Sequence, residues 1–299
     1  MIVSHHHPVL GTLVEIFVGV DDPDLAREVD HVVVSEMVRL EKIFSIFDED
    51  SELSRWKRAE VTMCSPELRR ALTEAIAWET SSDGAFTLSS KTWAKLANEA
   101  HSNPEASLES VQGEVARLMA IRRVEIVDGE PTRVGDVSDL DLNAFAKGWI
   151  VDRAVEHAID QWPHLDLTVN AGGDLRRVST SPLVVALENP LRPYDNEPPI
   201  ACLELVSGGI ATSGPSRRSV KVGEHSVSHI IDPRTGRPAA GHGSVTVTAP
   251  DAATADVLAT ICYLDSTERA LQRAAQHGCG CVVVGLEGRI SHNALVVLT

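Results

Sequence analysis

From Leu165 onward the chain is a succession of short apolar segments rich in β-formers: LDLTVN, LVVALENP, CLELVSGGIATSG, SVTVTAP, CVVVG and ALVVL. Two helical stretches, DAATADVLATICYL and STERALQRAAQHG, interrupt the run late. A doubly wound parallel sheet needs a helix after nearly every strand, and here strands follow strands, so the pattern predicts an α+β architecture of mixed sheets with packed helices. Earlier, VLGTLVEIFVG reads as a strand feeding a long helix over DDPDLAREVDHVVVSEMVRLEKIFS. Ser65 to Ser81 reads as a helix with a serine cap and proline at its first position, stopped by Ser82-Asp83-Gly84. VEIVDGEPTRV reads as a hairpin around Asp128-Gly129, and FAKGWIVDRAVEHAIDQW as a helix. Residues 101–115 are the most loop-like stretch but too short for a linker, so residues 1–299 are expected to form one globular unit, of one lobe or two.

The charge narrows the partners. A net charge of −16 repels phosphate polymers and denies the counterion release that drives nucleic-acid binding, so no nucleic acid is expected. A small anionic ligand meets the same repulsion and requires a local cation, either a metal ion or a placed lysine. Five cysteines without paired metal spacing argue for a reducing compartment, with Cys279 and Cys281 on one face of a strand as buried thiols. The N-terminus has no signal-peptide pattern and no apolar run reaches spanning length, so the expectation is a cytoplasmic protein with no membrane insertion.

Several residues could carry chemistry. Asp256 and Thr260 lie four apart on a predicted helix, so both oxygens project from one face and could share a Mg²⁺. The plainer alternative is that Asp256 complements the helix dipole while Thr260 bonds back to a carbonyl. In SHIIDPRTGRP, Pro233 and Gly236 force a sharp turn that holds His229 and Asp232 on a stiff loop; His229 suits a general base, or is a hydrogen-bonded structural histidine. In DLNAFAKGW, Asp141 stands at a predicted strand end and Lys147 one turn into the next helix, where its charge could meet a phosphate or simply face water. The segment Asn170 to Asp174 (NAGGD) lets backbone approach a ligand, or is only a turn. Arg217, Arg218 and Lys221 could contact phosphate or keep a loop in water, His5 to His7 read as a solvated cluster, and Ser213 lacks a nucleophile-elbow setting.

Taken in order, these segments resemble the ApbE family of FAD:protein FMN transferases across nearly the whole chain. The resemblance is carried by VLGT, IFSIFDEDSELSRW, DGAFTLSS, DLNAFAKGWIVD, VNAGGD, ATSG, HIIDPRTG and TADVLAT. It implies an enzyme that binds FAD as substrate, uses Mg²⁺ on its pyrophosphate, and moves FMN to a threonine or serine hydroxyl of an acceptor flavoprotein with release of AMP. Alternatives of the same ligand class are a Mg²⁺-dependent FAD pyrophosphatase and a non-catalytic FAD-binding module. By resemblance the metal ligands are Asp256, Thr260 and the carbonyl of Ala144. Asp141 and Lys147 hold the nucleotide, Leu10, Gly11, Ala85, Phe86, Thr87 and Ile230 line the flavin or adenine pocket, and His229 activates the acceptor hydroxyl. The chain departs from the family pattern at Leu10 for methionine, Thr87 for aspartate and Lys57 for asparagine.

Overall fold

The structure, a computed structural model, describes residues 1–89, 92–93, 95–96, 108–194, 196–214, 219–222, 225–228, 230–239 and 241–298. Its centre is an eight-stranded sheet in the order β1-β2-β5-β6-β9-β14-β15-β16. The strands are β1 (Ile2–Val9), β2 (Thr12–Val18), β5 (Leu167–Ala171), β6 (Asp174–Val178), β9 (Gly208–Ser213), β14 (Ser244–Ala249), β15 (Gly280–Val284) and β16 (Ile290–His292). Every neighbouring pair is antiparallel. This is the α+β class expected from strands following strands.

The chain divides into two compact units. The first comprises Met1–Glu41, Ala144–Gly214 and His242–Thr299 and contains the sheet. Alternation explains its inner face: Val14, Ile16 and Val18 of β2 and Leu167, Val169 and Ala171 of β5 are fully or nearly fully buried. Helix α1 (Pro23–Phe44) buries a stripe of Val29, Val33, Met37 and Leu40, at helical spacing. A hairpin of β7 (Leu183–Leu187) and β8 (Ala201–Leu205) packs Leu187, Leu203 and Leu205 with Ile210, Val282 and Val296.

The second unit comprises Lys42–Asn143 and Pro215–Gly241. It holds α2 (Glu52–Lys57), α3 (Pro66–Ser81), α4 (Leu108–Met119) and the hairpins β3 (Val124–Val127)–β4 (Glu130–Arg133), β10 (Ser219–Val222)–β11 (His225–Ser228) and β12 (Ile231–Asp232)–β13 (Arg237–Pro238). The α3 cap is as expected, with Ser65 Oγ accepting from Leu68 N. Asp128 and Gly129 take φ of 52° and 81°, the left-handed pair that a tight hairpin turn requires. Trp93, Val111, Val115, Met119 and Ile231 form one core cluster of this unit.

Four expectations are corrected. VLGTLVEIFVG is not one strand: Leu10 and Gly11, at φ 53° and 69°, turn the chain between β1 and β2. Part of the loop-like 101–115 stretch is the start of α4, because Leu108, Val111, Val115 and Met119 are spaced for a helix and three of them are buried. CLELVSGGIATSG is broken at Val206-Ser207 into β8 and β9. The closing ALVVL is no ladder strand; β16 precedes it and Leu298 makes a single bridge to Leu203. No helix among the described residues is long and apolar enough to cross a membrane.

Candidate functional site

Three elements of the first unit carry the site: α5 (Asn143–Gln161), β6 and α6 (Ala252–Tyr263), with α6 packed on β9 and β14. Nine of the 12 residues of α6 are buried, which confirms its apolar circumference. Gly148 sets the crossing of α5 and α6: a Cβ there would lie 2.7 Å from Ala252 O and 2.9 Å from Ala253 Cα, so only glycine permits the approach.

One turn along α5, Asp152 reaches the N-terminal end of α6. Ala252 N donates to its Oδ1 at 2.8 Å and Ala253 N to its Oδ2 at 2.9 Å. Thr254 N donates to Asp251, the N-cap, at 2.7 Å. Two carboxylates thereby satisfy three amide donors that a helix start leaves without partners. Arg176 on β6 completes the arrangement, with Nε 3.3 Å from Asp152 Oδ1 and Nη1 donating to Pro250 O at 2.8 Å. Burial pushes the Asp152 carboxyl up to about 7, opposed by the two amides and Arg176.

Asp256 follows one turn into α6 and Thr260 one turn further. Asp256 Oδ2 is withdrawn from water, and the Asp256 carboxyl shares a side-chain hydrogen bond with Asp174. Burial, and then the charge of Asp174, raise the Asp256 carboxyl well above the ordinary carboxylate range, while Lys147 pulls the other way. Asp174 is also raised by burial and held by Lys147, whose Nζ lies 2.6 Å from its Oδ2. Lys147 also donates to Ala171 O at 3.2 Å. The hydroxyls of Thr260 and Ser213 are 3.3 Å apart. Two carboxyl groups thus share one ammonium and a hydrogen bond between them.

Two turns lie at the same end of the sheet. Gly172 N donates to Leu13 O at 3.1 Å, and a Cβ on Gly172 would collide with the Thr12 side chain, which brings the Gly172-Gly173 turn beside the Leu10-Gly11 turn. Leu10 holds a positive φ, a costly conformation for a bulky residue. Ala144 is on α5 one turn before Lys147 and Gly148.

Ala85, Phe86, Thr87, Asp141 and Ile230 belong to the second unit. Ala85 and Phe86 are buried, and their loop is tied down by Ser82 and Glu79: Phe86 N donates to Ser82 Oγ at 3.1 Å and Leu88 N to Glu79 Oε1 at 3.0 Å. The Thr87 hydroxyl is 3.3 Å from Glu79 Oε1, an acceptor within the protein. Asp141 is buried in the loop before α5, not at a strand end, with its amide on Leu88 O at 2.8 Å, and Lys57 donates to the adjacent Leu140 O at 2.7 Å. Asp232 O accepts from Thr235 N and Gly236 N, so the Pro233–Gly236 turn forms as its sequence requires. His229, Arg217 and Arg218 lie outside the described residues. His6 is no solvated tail residue, since its Nε2 is 2.8 Å from Asp30 Oδ1 within β1.

The family is decided by the comparison of the whole chain with known proteins: the model of the ApbE family matches residues 10–283. The chain belongs to the ApbE family. A Vibrio cholerae member named FAD:protein FMN transferase is 30% identical over 264 residues, covering 84% of this chain and 76% of that protein. A Haemophilus influenzae member of the same name is 30% identical over 150 residues, and the chain spans only 43% of its length in that match. The crystal structure of the ApbE protein of Thermotoga maritima superposes with a TM-score of 0.85 at 26% identity, covering 98% of this chain and 97% of that one. Asp174 and Asp152 stand inside motifs named above without a role of their own, and Arg176 stands in none. Asp174 was signalled only by its place after two glycines, and Asp152 by its four-residue spacing from Gly148.

Proposed function

We propose that the chain transfers the FMN half of FAD to a threonine or serine hydroxyl of an acceptor flavoprotein, releasing AMP, with Mg²⁺ held by Asp256, Thr260 and the carbonyl of Ala144. The observation that carries this reading is the pairing of Asp256 with a second carboxyl, Asp174, beside the Lys147 ammonium and one turn from Thr260 on an apolar helix. Two carboxyl groups held against each other and sharing one ammonium form a pair that a cation would complete. Among the described residues no group of three or more histidine, cysteine, aspartate or glutamate side chains is arranged to hold a metal. The donor set is therefore mostly hydroxyl and carbonyl oxygen, which fits a hard ion that keeps waters and phosphate oxygens as its other ligands. The relatives named FAD:protein FMN transferase supply the reaction class.

When bound, Mg²⁺ supplies neutralisation of charge on the pyrophosphate. The protein's own groups do the rest. Lys147, oriented by Asp174 and Ala171 O, would add a fixed positive charge for the nucleotide, and the family resemblance gives Asp141 as a further nucleotide contact. The Gly172-Gly173 and Leu10-Gly11 turns offer backbone without bulk to the ligand, with Ala85, Phe86, Thr87 and Ile230 contributing to the flavin or adenine side. The acceptor oxygen forms a bond to the FMN phosphorus as the bond to the AMP oxygen breaks, and His229 takes the hydroxyl proton.

Purified protein given FAD, Mg²⁺ and a flavoprotein from the same cell should release AMP and leave the acceptor covalently fluorescent. Free FMN with AMP, in equal yield with and without acceptor, would replace transfer by pyrophosphate hydrolysis. Tight FAD binding with no cleavage under any condition would reduce the protein to a binding module.

A further inference from the structure

The contacts at the start of α6 repeat the parts of the site one turn above them with the charges exchanged. In the lower tier α5 contributes an aspartate, Asp152, and β6 an arginine, Arg176. In the upper tier α5 contributes a lysine, Lys147, and β6 an aspartate, Asp174. Asp174 and Arg176 are two apart on β6 and so share a face, and Ala252, Asp256 and Thr260 follow at intervals of four on α6. The lower tier grips only backbone: the amides of Ala252 and Ala253 and the carbonyl of Pro250. Both of its side chains are withdrawn from water, Asp152 at 2% and Arg176 at 15% exposure.

We propose that Asp152 and Arg176 are positioning residues for the cation site: by holding the first turn of α6 to α5 and β6 they fix the height and rotation at which Asp256 and Thr260 face Lys147 and Asp174. This rests on the reading that Asp256 and Thr260 hold Mg²⁺. A slip of one residue along a helix moves a side chain by about 1.5 Å and about 100°, and Mg²⁺ demands near-octahedral ligands at about 2.1 Å, so the tolerance is small. Gly148 sets how near the two helices come, but a backbone contact does not resist sliding; the pair of hydrogen bonds from consecutive amides to one carboxylate does. Asp251 provides the internal control. It caps the same helix through Thr254 N, but from within the α6 segment, so it stabilises the turn without being the bond from α5.

The test is calorimetric titration of the full chain with Mg²⁺, alongside amide hydrogen exchange at Ala252 and Ala253. Asp152→Asn leaves one acceptor where two are needed, and Arg176→Met removes the cation while keeping the apolar stem. Both should weaken Mg²⁺ binding by about 10- to 100-fold, the usual effect of removing a partner behind the ligands, at a temperature where circular dichroism shows native folding. Exchange at Ala252 and Ala253 should quicken in Asp152→Asn. Asp251→Ala should lower the melting temperature yet leave the Mg²⁺ affinity unchanged. Should Asp152→Asn not fold, Arg176→Met carries the comparison. Wild-type affinity in Asp152→Asn and Arg176→Met, or equal weakening in Asp251→Ala, overturns the proposal while leaving the metal reading intact, provided wild type binds and Asp256→Asn does not. No Mg²⁺ binding by the wild-type protein overturns both.

Discussion

Two aspartates, Asp256 in the first half of α6 and Asp265 just beyond its end, are treated in opposite ways. Asp265, just past the C-cap Leu264, is bonded by Arg273 Nε at 2.8 Å and paired with Arg269 at 3.3 Å, its backbone carbonyl accepts from the His242 ring at 2.8 Å, and α7 (Thr267–Gln276) supplies both arginines. Asp256, nearer the other end, has a second carboxyl, Asp174, as its hydrogen-bond partner and no guanidinium. A carboxylate answered by guanidinium groups holds a fold together. One left facing its own kind costs stability, as a group kept for binding would.

The largest effect should come from breaking the carboxyl pair. Asp256→Asn should cost about 10³-fold in flavin transfer, roughly the ~4 kcal/mol that a metal's charge stabilisation provides. The metal-free melting temperature should hold or rise, since the substitution replaces a carboxyl that burial and Asp174 already keep from ionising freely. A variant that loses stability as well as activity would mean the two ends do the same job. At the satisfied end the signs reverse: Asp265→Ala strands the buried Arg273 and should cost about 3 kcal/mol in urea unfolding, with transfer per folded molecule unchanged. An undiminished urea midpoint would undo the contrast.

The contrast also shows what the sequence could disclose. The class of the fold was readable from strands following strands, and the helices from their caps and periodicity, because both signals are local. The Asp256–Thr260 pair was readable for the same reason, a spacing of four on an apolar helix. Pairing across the chain was not. Asp152 lies 100 residues from Ala252, and nothing local says that its carboxylate receives that amide. Asp174 followed a glycine pair that is also just a turn, and only packing against Lys147 gives it meaning. The missed turns at Leu10-Gly11 and Val206-Ser207 failed for a related reason, since the apolar residues on either side continue the pattern of a single strand.

Titration separates the ends by a smaller effect. Burial, joined at Asp256 by the charge of Asp174, raises the Asp256 and Asp174 carboxyls above the ordinary range, and burial raises Asp152 to about 7. The unfolded chain loses these protons near pH 4, so between there and the raised values the folded state binds more protons than the unfolded one. Stability from these groups is therefore complete below about pH 4 and is lost as pH rises through the folded-state values, with the Asp152 share gone once pH passes about 7. In EDTA the melting temperature should fall across that window. On the proposed reading Mg²⁺ would compete with the proton shared by Asp256 and Asp174, so its binding should tighten as pH rises. At 100 times its Kd it should return about 2.7 kcal/mol near pH 8 and much less of it at pH 5 for the same total metal. Melting curves at both pH values, with and without Mg²⁺, read this directly. An equal Mg²⁺ shift at pH 5 and pH 8 would show that the ion sits on groups already ionised, and Asp256 would then be as well satisfied as Asp265.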